Sequence, residues 1–87
     1  MKTWLEYITM FNSTTDTPDR STVMKINRAL EAYAIGGSGR PIYGVITLDG
    51  NDTRIGISRA RLHKGVLQVR AKANQEWYPA VKVIELL

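Results

Sequence analysis

The chain has 87 residues, 44% hydrophobic and 23% charged, the composition of an ordinary soluble globular domain near the lower size limit for folding alone. It contains no cysteine, so disulfides, thiolate chemistry and cysteine-based metal sites are excluded, and a reducing, cytoplasmic setting is the simplest expectation. Twelve Lys and Arg against eight Asp and Glu leave a net charge of +4, a mild tilt toward polyanionic partners.

Residues 1–11 put Trp4, Ile8 and Phe11 on one helical stripe, which predicts a short helix; their β-branched and aromatic content would also suit a strand. Glu6 interrupts this stretch before a signal-peptide core can form, and no apolar run elsewhere reaches the ~20 residues that span a bilayer. No membrane association is expected. Asn12 to Asp16 is a polar connector, rich in side chains that hydrogen-bond their own backbone. A second helix is predicted from Pro18 to Ala34. Thr17 is its expected N-cap, Pro18 suits the first helical position, and Asp19 in the first turn complements the helix dipole. Val23, Ile26, Leu30, Tyr33 and Ala34, spaced by three and four, form its buried stripe. Gly36-Gly37 ends the helix. Residues 36–41 read as a Gly-rich linker between a helical part (1–35) and an antiparallel β part (42–87) of a single domain.

From Ile42 the period changes to two. Strands are predicted at Tyr43–Leu48, Arg54–Leu62 and Val66–Ala73, with a turn at Asp49-Gly50-Asn51-Asp52 and another at Asn74-Gln75-Glu76. Trp77-Tyr78 and Val81 to Leu86 make one strand broken at Pro79, or two short ones; Pro79 has no N–H to give a ladder and marks an edge or a bulge. The second of these strands conflicts with itself. Ile55 and Ile57 are apolar at odd positions, Ala60 and Leu62 at even ones, so a straight strand cannot bury both pairs. A β-bulge near Ser58-Arg59 resolves the conflict, because one extra residue flips the phase and bends the strand. The expected fold class is α+β: one or two N-terminal helices, then a four- to five-stranded antiparallel, SH3-like small barrel or curled sheet.

Arg54, Arg59, Arg61, Lys64, Arg70 and Lys72 fall between Thr53 and Lys72 with no Asp or Glu among them, six of the chain's twelve cations. Parity sets their geometry. A two-residue Lys64-Gly65 loop pairs Leu62 with Leu67 and Ala60 with Val69 on the buried face, and places Arg61 opposite Gln68 and Arg59 opposite Arg70 on the other. A three-residue loop would mix Arg61 with Leu67 on one face. Like charges directly opposed cost about 0.2–1 kcal/mol. An anion seated there in the working state would offset this, and phosphates of RNA or DNA are the usual candidates, held by charge-assisted Arg contacts. An acidic protein surface would serve as well. The plain structural alternative is a solvated face whose charges keep a small sheet from pairing edge to edge, with Glu6, Glu76 or Glu85 folding back onto it.

Trp77 and Tyr78 follow the basic strand, and whichever shares its exposed face could stack bases. Trp77 reads as core or lid; Tyr78 should point the other way, which makes it the candidate. The segment Gly36-Gly37-Ser38-Gly39-Arg40-Pro41 follows a helix and lacks the Gly-Lys-Ser/Thr ending of a phosphate loop, so it reads as a hinge. His63, the only histidine, sits beside a turn without clustered carboxylates and offers no metal site. No acid–base pair or nucleophile constellation is legible, so neither catalysis nor a cofactor is expected.

The order helix, then five short strands with a bent second one, resembles the architecture of Sm-like RNA-binding proteins. Leu48-Asp49-Gly50 followed by Ile55-Gly56 is loosely similar to the first half of their signature. The Asp and Asn that continue it have no counterpart at Arg59 to His63, and the second signature has none near Val81-Lys82-Val83-Ile84. The resemblance covers strand order alone, and no family residue is carried over.

The expectation is therefore a non-catalytic binding module that contacts nucleic-acid backbone through Arg59, Arg61, Arg70 and Lys72. Arg54 and Lys64 would flank these, with Tyr78 beside them. The alternative is an adaptor or inhibitor module that docks a larger protein through the same charges or through Trp4, Ile8 and Phe11. Dimerisation through that aromatic segment is also open.

Overall fold

The computed structural model describes residues 6–36 and 39–87. Strand β1 (Tyr7–Asn12) is followed by helix α1 (Arg20–Gly36) and by β2 (Ile42–Leu48), β3 (Asn51–His63), β4 (Val66–Ala71), β5 (Trp77–Pro79) and β6 (Lys82–Leu86). The six strands form one antiparallel sheet in the order β1-β6-β2-β3-β4-β5, curled around the core but not closed by a ladder. The α+β class is as expected. The counts differ: one helix among the described residues, and six strands.

The extra strand replaces the expected N-terminal helix. Tyr7 to Asn12 pairs with β6, and a register shift between Thr9 and Phe11 turns both Met10 and Phe11 onto the core. A regular strand would send neighbours to opposite faces; the bulge turns both inward, Phe11 buried and Met10 partly so. Pairing also covers the outer edge of β6, whose Val83 and Ile84 are buried. Phe11, at 2% exposure, is core and not a docking surface; Trp4 lies outside the described residues. The connector closes on itself as expected, with the Asn12 and Thr14 amides donating to side-chain oxygens of Asp16 and Asn12.

Helix α1 starts two residues later than predicted. Asp19, not Thr17, is the N-cap: its Oδ1 accepts from the Thr22 amide at 2.8 Å and from the Thr22 hydroxyl at 2.9 Å. These bonds favour the charged form and hold the Asp19 carboxyl below its ordinary range. Ile26 is fully buried, Val23, Ala29 and Leu30 pack against the core, and Tyr33 and Ala34 are exposed, so the last turns run past the core edge. No helix among the described residues is long and apolar enough to cross a membrane.

The core is the inner face of the curl: Phe11, Ile26, Ile42, Ile46, Ile57, Ala60, Leu67, Val69, Ala80 and Val83. The inner face is most closely packed over β2 at Gly44, where a Cβ would stand 2.9 Å from Ile57 Cγ2 and 3.1 Å from Val69 Cγ2. A side chain there would force Ile57 or Val69 to shift. Two hairpin turns have the same build. Asp49-Gly50 and Lys64-Gly65 all take positive φ (50° and 78°, 50° and 79°), as the tight turns matched to strand twist require. At Pro79-Ala80-Val81 the chain crosses the sheet. The Ala80 amide donates to Leu67 O at 2.9 Å and the Val81 amide to Val45 O at 2.7 Å. The Pro79 region is thus two strands, and β5 is an edge, where a residue without an N–H is tolerated.

Candidate nucleic-acid interface

The basic hairpin has the predicted register. Arg59 pairs with Arg70, Ala60 with Val69, Arg61 with Gln68 and Leu62 with Leu67, and the ladder shifts between Ile57 and Arg59, which leaves Ser58 as the bulged residue. Ile57, Ala60, Leu67, Val69 and Ala71 are buried. Arg59, Arg61, Gln68 and Arg70 therefore lie on the outer face, and Lys72 continues its parity just past the end of β4.

The bulge divides β3 into two arms. Asn51 to Gly56 pairs with β2, and from Ile57 onward the strand pairs with β4. Past the division, the edge of β3 that β2 has left meets the helix instead. Ala60 donates its amide to Asn27 Oδ1 at 2.8 Å, and Asn27 Nδ2 donates to Ala60 O at 3.0 Å. One side-chain amide thus does what a neighbouring strand would do, and it grips the residue between Arg59 and Arg61. The sequence reading missed Asn27. A polar residue one position after Ile26 in the buried stripe was the signal present.

Arg61 is held on two sides. Its Nε donates to Gln68 Oε1 at 2.7 Å, and its guanidinium carbon sits 4.1 Å from the centre of the Trp77 ring. That is close stacking, worth about 0.5–1 kcal/mol where exposed. Trp77 is on this face because it pairs with Arg70, and Tyr78, pairing with Val69, is on the other. The two aromatics are therefore exchanged relative to expectation. Trp77 belongs to the basic face, whereas Tyr78 packs against the core and its hydroxyl accepts from Asn74 Nδ2 at 2.9 Å. The turn from Lys72 to Glu76, with Gln75 at φ 61°, sets this register, and strand alternation alone does not reveal it.

Charge on the face is uncompensated. Among the described residues no carboxylate pairs with Arg59, Arg61, Arg70 or Lys72, so the acidic side chains considered above do not neutralise it. The Nε of Arg70 is buried without a hydrogen-bond partner. Such a donor is expensive to leave unmade, roughly 1–3 kcal/mol and more when charged. The flanking cations lie apart from this centre. Lys64 is in the turn at the hairpin tip, and Arg54 is on the other arm of β3, its guanidinium 4.9 Å from the centre of the Tyr43 ring.

At the bulge end of the face a cleft of about 510 Å³ opens between α1 and the junction of β2 with β3. It is lined by Tyr33, Pro41, Tyr43, Gly56, Ser58 and Lys72 among others. A second, mostly apolar cleft of about 480 Å³, bounded by Ile46, Leu48, Ile55 and Tyr78, lies across Lys72 from the first. Among the described residues no group of three or more His, Cys, Asp or Glu could hold a metal ion. No protein-family model, no curated protein and no solved structure matches this chain.

Proposed function

We propose that this protein is a small non-catalytic binding module that grips nucleic-acid phosphate backbone with the outer face of β3 and β4. Arg59, Arg61, Arg70 and Lys72 are the central contacts, and Arg54 and Lys64 flank them. The observation that carries the reading is Arg59 directly opposite Arg70, with no carboxylate among the described residues ion-paired to either. A sheet that only needed solubility would gain by alternating sign at these positions. A bridging phosphate oxygen between the two guanidinium groups removes the repulsion, and the planar guanidinium fork suits it. Recognition of this kind is largely independent of base sequence.

Binding of labelled RNA and DNA at ~50 mM salt tests the reading. Contacts to four to six phosphates give a log–log salt slope of roughly −3 to −5. The pair Arg59→Glu with Arg70→Glu should abolish binding and leave the fold intact; no binding by the wild type at low salt ends the proposal. A second reading has its own observation. Leu62 and Val66, 36% and 45% exposed, flank the Lys64-Gly65 tip and suit docking onto a protein with an acidic rim. A pull-down from native lysate separates the two. Partners retained after nuclease treatment support an adaptor or inhibitor, and partners lost support nucleic acid.

A further inference from the structure

We infer that the ligand of this face is a single strand, RNA or DNA, with one unstacked base seated in the cleft between Tyr33 and Tyr43; the inference rests on the phosphate-binding reading above. The cleft is continuous with the basic face at two points. Ser58, in its wall, directly precedes Arg59, and Lys72 lies two residues beyond Arg70. Along β4 the distance from Gln68 to Lys72 is about 13 Å at the usual strand rise. A strand laid on the arginines therefore reaches the cleft within a short stretch.

What the cleft offers suits a base better than a phosphate. Two tyrosine rings and Pro41 give flat apolar surface, and Ser58 and Lys72 supply a hydroxyl and an ammonium at the rim. Gly56 leaves the floor open. It has no side chain, and the nearest atom to where its Cβ would stand is Lys72 Cδ at 3.6 Å, so the lysine stem forms one wall. At the far end of the face, Arg61 stacked on Trp77 is a second flat, cationic plate. Cations flanked at both ends by stacking surfaces form the arrangement that holds single strands, because every base has a ring face to offer once it is unstacked. A duplex keeps its bases stacked and paired inside; it would meet the same arginines but leave the cleft unused.

The test compares three probes of about 12 units each, single-stranded DNA, single-stranded RNA and duplex DNA, by fluorescence anisotropy on the full chain. Single strands should bind roughly ten- to hundredfold tighter than the duplex. Tyr33→Ala should bring them to the duplex level with the salt slope unchanged; this ring sits on an exposed part of the helix, 42% accessible, so its loss leaves the core untouched. Gly56→Val, which fills the cleft from its floor against the Lys72 stem and leaves Arg59, Arg61 and Arg70 in place, should do the same. Circular dichroism of both variants confirms that they are folded. Equal binding of duplex and single strand, with both variants silent, overturns the inference and leaves the phosphate reading standing. No binding of any probe overturns both.

Discussion

The side chain on which the arrangement most depends is Asn27, a residue that touches neither the charged face nor the clefts. Its amide spans Ala60 from helix to strand, closing bonds of 2.8 and 3.0 Å to the backbone N–H and C=O. Ala60 is 2% exposed, so water cannot replace the amide once it is gone. Asn27→Ala removes a pair of net-favourable bonds, about 0.5–1.5 kcal/mol each, and orphans a buried N–H and C=O. Part of that penalty is already counted in the bonds, so a total of about 2–4 kcal/mol is expected. For a domain of this size it corresponds to a fall in Tm of roughly 10–25 °C, a large share of the whole stability. Asn27→Asp keeps an acceptor for the Ala60 amide but gives the carbonyl nothing, and should fall between wild type and Ala. Urea titration followed by circular dichroism measures all three. The same substitution should weaken oligonucleotide binding under conditions where the variant is folded, because Arg59 and Arg61 flank the residue that Asn27 holds. A loss of stability below ~0.5 kcal/mol in Asn27→Ala would refute the reasoning, since only a surface side chain costs so little.

Three other substitutions probe different parts of the account. Gly44→Ala should destabilise by about 1–2 kcal/mol: overpacking against Ile57 and Val69, both fully buried, outweighs the entropy gained in the unfolded chain, and a stabilised variant would contradict the tight curl. Arg59→Thr should raise stability by about 0.2–1 kcal/mol at low salt while weakening oligonucleotide binding. The gain should shrink toward ~1 M salt, where screening removes the repulsion that Arg70 exerts, and thermal melts at two salt concentrations read it directly. Asp19 predicts a pH effect. Its folded-state pKa is depressed by the Thr22 bonds, so its contribution is present above the ordinary carboxylate range and is lost as pH falls through the lowered value. Asp19→Asn should therefore flatten the acid side of the stability profile, from the ordinary carboxylate range down through the lowered value, relative to wild type in acid titrations followed by circular dichroism.

The parts legible in the sequence are those decided by neighbours along the chain. The Lys64-Gly65 turn, the bulge at Ser58 and the Arg59–Arg70 pairing all followed from parity, because a strand with one buried face admits only one register. The turn at Asp49-Gly50 followed from local backbone chemistry, though it is shorter than the predicted Asp49 to Asp52 because Asn51 and Asp52 pair with β2; of the two places open to Pro79, edge or bulge, the structure has the edge. The N-terminal segment was not legible. Residues 7–11 fit the helical stripe that predicted a helix and suit a strand as well, and pairing with β6, 70 or more residues away, made the choice. The cap moved from Thr17 to Asp19 because a carboxylate, placed to receive the Thr22 amide and hydroxyl together, is the stronger acceptor.

The sequence by itself thus determined that this protein carries a one-sign, one-face basic hairpin on an antiparallel sheet. Tertiary structure decided what stands around that hairpin. It put Trp77 under Arg61 and turned Tyr78 to the core, since the irregular Lys72–Glu76 turn sets the register of β5. It brought Asn27 to Ala60 across 33 residues and put Tyr33 and Tyr43 in the lining of one open cleft. Alternation and turn chemistry act over a few residues and leave their mark in any short window. A contact between elements far apart in the chain depends on how the sheet curls, and here a glycine at position 44 and one bulged serine set that curl.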